Sequence, residues 1–218
     1  MRVAVFASGR GTNFAALADA QRDGSSPIDL CALLSDKAES RAMQVARNRD
    51  VPALALNPKK YTNRLEFDHA LFNAATDFRP DLIVLAGYMR VIDPDVIRAW
   101  SGRIINIHPS LLPKYPGLRT HQRALDAGDT AHGASVHFVT AELDGGPVIS
   151  QTHIDIEPGD DAAALASRLL RHEHRLLVST VDLIARKRVA LTNGGVTLDG
   201  KLLCRPLRLG DDDRLQEI

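Results

Sequence analysis

The chain has 218 residues, 44% of them hydrophobic and 25% charged, which is enough apolar material for a sizeable core and excludes a wholly disordered chain. Its 27 basic and 27 acidic residues cancel to a formal charge of +0, against a non-specific nucleic-acid binder. Two cysteines far apart, Cys31 and Cys204, cannot build a disulfide framework or a cysteine-rich zinc site and fit a reducing compartment. The apolar start at residues 3–7 is cut short by Ser8-Gly9-Arg10-Gly11, well before a signal peptide would end. No run approaches the ~20 apolar residues of a bilayer span. A cytoplasmic protein with no membrane partner is expected.

In chain order, residues 3–7 read as a buried strand and 14–21 as the helix after it. A strand over 30–34, a helix over 41–49 and a strand over 53–56 follow. The next helix, 64–78, carries Leu65, Phe67, Leu71, Phe72, Ala75 and Phe78 at helical spacing. Strands at 82–86 and 103–107 flank a helix at 94–100. Continuous apolar strands separated by helices predict a doubly wound, mostly parallel α/β sheet with helices on both faces. After Pro109 the pattern changes to a short helix at 120–127, strands at 134–139 and 148–156, and a long amphipathic helix at 161–186. Asp199-Gly200 between alternating segments predicts a hairpin over 196–203, so the additions near the C-terminus are antiparallel. One domain over 1–210 is expected, with 211–218 as an acidic, frayed tail.

Three features carry chemistry. Ser8-Gly9-Arg10-Gly11-Thr12-Asn13 joins the first strand to the first helix, where free N–H groups hold an anion. Phe14 stands where a dinucleotide fingerprint needs its third glycine, and no Gly-Lys-Ser or Gly-Lys-Thr follows. A site for a single phosphate survives, beside the plainer reading of a tight turn. Asn106 and His108 lie two apart at the end of an apolar strand and project together, a donor pair suited to an oxyanion. Asp144, followed by two glycines, could turn its carboxylate toward His108 and stabilise a protonated ring. Each of these side chains could instead satisfy loop backbone groups. The remaining histidines show no metal-ligand spacing, and His172 and His174 do not share a helix face.

The run Asn106-Ile107-His108-Pro109-Ser110-Leu111-Leu112-Pro113-Lys114-Tyr115-Pro116-Gly117 resembles that of the glycinamide ribonucleotide transformylases. These are phosphoribosylglycinamide formyltransferases of purine biosynthesis. The likeness includes residues 8–13, 86–90, 132–139 and 143–147 and extends to Glu173. It implies the formyltransferase fold and transfer of a formyl group from 10-formyltetrahydrofolate, as co-substrate, to the amine of N1-(5-phospho-D-ribosyl)glycinamide. It implies Asn106, His108 and Asp144 as the catalytic trio, acting without a metal. Gly11, Thr12 and Asn13 would hold the ribonucleotide, with Leu170, Arg171, His172 and Glu173 touching the same molecule. Arg64, Met89, Arg90, Val91, Ile92, Asn106, Thr140, Ala141, Glu142, Leu143 and Asp144 would line the folate pocket.

By the same resemblance Leu112–Pro113 is a cis peptide, and Ser135 and His137 support the site rather than act as nucleophile and base. The implied partners are the two small-molecule substrates, with no nucleic acid; a homodimer is left open. Two positions depart from the pattern: Arg119 stands where some relatives have His, and Ala141 replaces a polar residue. Sister enzymes are the rivals: a formyltetrahydrofolate hydrolase, which usually adds an N-terminal domain, and a methionyl-tRNA formyltransferase, which usually adds a C-terminal one. A non-catalytic nucleotide- or folate-binding module is the rival of another class.

Overall fold

The structure, a computed structural model, describes residues 1–217. The described residues divide into two compact units, 1–106 with 139–141 and 107–138 with 142–217. In the first unit, β1 (Arg2–Phe6), β2 (Asp29–Ser35), β3 (Ala53–Ala55), β4 (Leu82–Leu85) and the start of β5 (Ile104–His108) run parallel in the order β5-β4-β1-β2-β3. The alternation of side chains along these strands gives each face its own cover. Ala4, Phe6, Ala32, Leu34, Ile83 and Leu85 share a core with Phe67, Leu71 and Phe72 of α3 (Arg64–Thr76) and with Val96 and Ile97 of α4 (Pro94–Ala99). The alternate residues Val3, Val5, Leu33 and Val84 are equally buried and face away from that core, leaving the other side to α1 (Thr12–Arg22) and α2 (Arg41–Arg47). This is the doubly wound α/β arrangement expected.

The strand order reverses between β1 and β4, and open parallel sheets bind ligands beyond the carboxyl ends of strands at such a reversal. Ser8 and Gly87, just past those ends, are stitched together by Ser8 N–H donating to the Gly87 carbonyl at 3.1 Å. The glycine loop and the 87–92 segment therefore leave the sheet side by side.

The second unit is built around the antiparallel pair β6 (Ala131–Phe138) and β7 (Val148–Asp155), with α6 (Ala162–Ala185) packed along both. Leu165, Leu169, Leu176, Leu177 and Val181 form the buried side of α6. A short helix, α5 (Thr120–Asp126), precedes β6. The predicted hairpin is present: β9 (Gly195–Leu198) and β10 (Lys201–Leu202) pair antiparallel, and Asp199 and Gly200 take φ of 49° and 80°, as the primed turn requires.

Three strands escape the periodicity. β8 (Val189–Thr192) pairs with β9, β11 (Leu207–Leu209) runs parallel to β7, and β12 (Leu215–Gln216) pairs with β11. The expectation of a frayed tail is thereby corrected through residue 216; Ile218 lies outside the described residues. The physical reason is Arg175 on α6. Its guanidinium pairs with the Asp213 carboxylate and donates to the carbonyls of Gly210 and Asp211, and Ser179 Oγ donates to the Asp213 carbonyl at 2.8 Å.

Candidate active site

The glycine loop is a backbone device. Gly11 caps α1 with φ of 73° and makes no side-chain cap bond. The first N–H groups of the helix and its dipole suit an anion. Gly11 also has a packing reason to be glycine: a Cβ there would lie 2.6 Å from the Ala42 Cα of α2. Thr12 and Asn13 follow in the first turn, with Asn13 nearly buried. Ser8 Oγ accepts the N–H of Met89 at 3.1 Å, so the loop also anchors the start of the 89–92 segment. On that segment Met89 is 63% and Val91 51% exposed, unusual for large apolar side chains so close together. Arg64, at the head of α3, pairs with Asp93 at 3.5 Å. Exposed apolar side chains of this kind suit contact with a ligand that has an apolar part.

The second unit assembles the other candidate residues around His108. Burial is nearly complete: 6% exposed for His108 and 2% for His137. His108 Nε2 lies 2.9 Å from the Tyr115 carbonyl, which can only accept, so Nε2 carries the proton. His108 Nδ1 then faces Asp144 Oδ2 at 3.5 Å. The same Oδ2 accepts the Gly117 N–H at 2.8 Å, while Oδ1 faces His137 Nε2 at 3.7 Å. Burial pushes the Asp144 carboxyl up, but His137, the Gly117 N–H and the charge on His108 together outweigh it and hold it below the ordinary value of 3.8. The group is a carboxylate at neutral pH.

For His108 burial wins. Desolvation lowers its pKa from the ordinary 6.5, against the Tyr115 carbonyl and Asp144, which favour the charged ring. Burial thus favours the neutral ring, in which a lone pair on Nδ1 points at a carboxylate. A proton delivered to Nδ1 converts that acceptor–acceptor contact into a charge-assisted hydrogen bond. The expectation of a His108 N–H free to donate changes here, because Tyr115 already takes the one on Nε2. Asn106, two residues back on β5, is half-buried.

The loop after β5 owes its shape to β6 and β7. Leu112–Pro113 is cis, as expected. Ser135 Oγ accepts the Leu112 N–H at 3.0 Å and donates to the Ser110 carbonyl at 2.7 Å, and Gln151 donates to the Leu112 carbonyl at 2.9 Å. Tyr115 and Asp144 take φ of 56° and 50°, left-handed values that non-glycine residues adopt when surrounding bonds impose them. Ser135 and His137 thus support their neighbours. The Tyr115 carbonyl and the Gly117 N–H were not foreseen, since backbone groups leave no side-chain signature. A further unforeseen contact is His132 Nε2 to His121 Nδ1 at 3.0 Å; burial, then the neighbouring His121, pushes His132 down to about 4.

The remaining candidates fall in two sets. Thr140 and Ala141 belong to the first unit, and Glu142 and Leu143 to the second, with Leu143 56% exposed. On α6, Leu170 and Glu173 are three apart and share a side; the exposed Arg171 and the half-buried His172 line a cavity of about 390 Å³ with Ala164, Ser167 and Arg168. Among the described residues no group of three or more His, Cys, Asp or Glu could hold a metal ion, and no helix is long and apolar enough to cross a membrane.

Residues 1–181 match the family model described as "Formyl transferase". The phosphoribosylglycinamide formyltransferase of Haemophilus influenzae is 38% identical over 202 residues, covering 93% of this chain and 95% of that protein. The trifunctional purine biosynthetic protein adenosine-3 of Bos taurus is 38% identical over 194 residues, which is 89% of this chain and 19% of that much longer protein. Among solved structures, the phosphoribosylglycinamide formyltransferase of Coxiella burnetii superposes with a TM-score of 0.90 at 40% identity, covering 94% of this chain and 96% of that one.

Proposed function

The chain belongs to the phosphoribosylglycinamide formyltransferase family, and from that we propose how its residues perform the reaction. The reaction is transfer of a formyl group from 10-formyltetrahydrofolate to the amine of N1-(5-phospho-D-ribosyl)glycinamide, a step of purine biosynthesis. In our reading Gly11, Thr12 and Asn13 hold the ribosyl phosphate, and Leu170, Arg171, His172 and Glu173 contact the same molecule. Arg64, residues 89–92, Asn106 and residues 140–144 receive the folate. Residues 1–210 act as one formyltransferase domain, with 211–218 as an acidic tail.

The observation that carries the mechanism is the His108 ring, with Nε2–H fixed on the Tyr115 carbonyl and Nδ1 facing Asp144. Asn106 donates its amide to the formyl oxygen as negative charge develops there. His108, neutral at rest, accepts at Nδ1 the proton released by the attacking amine, and its new positive charge stabilises the oxyanion from nearby. Asp144 steadies that imidazolium until the proton passes on to the departing folate nitrogen.

A cytoplasmic location belongs to the same reading, supported by two free cysteines far apart in sequence. The molecular mass in solution checks whether the enzyme works as a monomer or a homodimer. The decisive assay follows consumption of 10-formyltetrahydrofolate with and without the ribonucleotide. Consumption that needs the ribonucleotide, matched by formylated product, supports the proposal. Equal consumption without it identifies a hydrolase, and no consumption under either condition identifies a binding module.

A further inference from the structure

We propose that Asp68 is a positioning residue for the segment 89–92, holding it in folate-binding shape through the Asp93 N–H; this rests on the folate reading given above. Asp68 lies on α3 and is fully buried, at 0% exposure, an unusual place for a carboxylate. Its Oδ2 accepts the Asp93 N–H at 2.8 Å. Two side-chain acceptors therefore pin the backbone of the segment: Ser8 Oγ on Met89 at one end and Asp68 on Asp93 at the other. Tyr88, just before the segment, packs edge-on against Phe6 at 5.7 Å, and the Arg90 guanidinium lies over the Phe67 ring at 4.9 Å. Between the pins Met89 and Val91 stay exposed, as a ligand-facing strip must.

The electrostatics point the same way. Burial raises the Asp68 carboxyl above its ordinary 3.8, while the Asp93 N–H and the charges of Arg64 and Arg90 pull against it. Asp68 Oδ1, Tyr88 Oη and Arg90 Nε are all buried without a hydrogen-bond partner. Such a cluster is costly to keep for packing alone, and its one firm bond goes to the end of the segment. Asp93 in turn caps α4, accepting the Asp95 N–H at 3.0 Å, and its φ of −65° is one proline adopts.

Asp68→Asn keeps a carbonyl acceptor in place, whereas Asp68→Ala removes it. We expect the alanine variant to raise KM for 10-formyltetrahydrofolate about tenfold, with the ribonucleotide KM and kcat within a factor of two, and asparagine to restore the folate KM. A second pair guards against a folding defect at the buried position. Asp93→Ala loses the cap and the Arg64 pair but keeps the N–H, and Asp93→Pro loses all three. The proline variant should show a folate KM at least about fivefold above the alanine one. Equal values in that pair, parallel changes in both substrates' KM, or no rescue by asparagine would overturn the proposal. Val91→Asp, placed on the exposed strip, tests the folate reading separately: if it leaves the folate KM unchanged, that reading fails, whatever Asp68 does.

Discussion

At the head of α1 the working groups are backbone N–H groups, whereas at the end of β5 they are side chains. The first arrangement is set by one close approach, Gly11 against Ala42, and uses no side-chain cap. The second is a chain of partners, from Tyr115 through His108 and Asp144 to His137, with the loop after β5 tied down at Ser110 and Leu112 by Ser135 and Gln151. The difference shows where each region is vulnerable. A backbone site survives exchange of its side chains and fails when a glycine goes; a side-chain relay tolerates loop neighbours and fails when one charge goes.

The sharpest test of that contrast is Asp144→Asn. The amide is nearly isosteric and still accepts from Gly117, but it cannot stabilise an imidazolium. Turnover should fall by ~10²–10³ with KM values little changed, because the interaction is made chiefly in the transition state. The pH dependence has a definite sign. Activity needs neutral His108, so the rate rises with pH through a pKa below 6.5. Removing the Asp144 charge lowers that pKa further, moving the ascending limb of the pH–rate profile to lower pH. An unchanged profile with near-normal turnover would reduce Asp144 to a turn residue.

Gly11→Val probes the backbone region. From the sequence alone, valine would fill the anion nest and weaken ribonucleotide binding selectively. Contact with Ala42 and the positive φ add a second penalty, so the fold should also lose about 2–4 kcal/mol. Thermal or denaturant unfolding checks this. A variant as stable as the parent would show that α2 yields, and that the close approach does not fix the loop.

Much of this architecture was legible beforehand because it rests on patterns within single elements. The apolar strands, the helical spacing over 64–78, the Asp199-Gly200 turn and the Asn106/His108 spacing each follow from a period or a local conformation. What escaped depends on partners distant in sequence. An aspartate-rich tail reads as solvated until Arg175 is seen to bind it, and nothing singles out Asp68 until the Asp93 N–H is seen on it. The His108 tautomer was out of reach for the same reason, since it hangs on the carbonyl of Tyr115.

The smallest effect calibrates the others away from the chemistry. Asp161 caps α6, its carboxylate accepting the Ala164 N–H at 2.7 Å. Asp161→Ala should lower stability by about 1 kcal/mol and leave kcat and both KM values alone. A change in either KM would mean that the relay or the phosphate site senses the far end of α6, blurring the contrast between the two regions.

The account turns on His108 resting neutral with its proton on Nε2, ready to be charged at Nδ1 beside Asp144. An NMR titration of the ring nitrogens of His108 in the unliganded enzyme, repeated in Asp144→Asn, reads this directly. The account predicts the Nε2–H tautomer, a pKa below 6.5 in the parent and a lower one in the variant. A parent pKa above 6.5, or one unmoved by loss of the Asp144 charge, would contradict it.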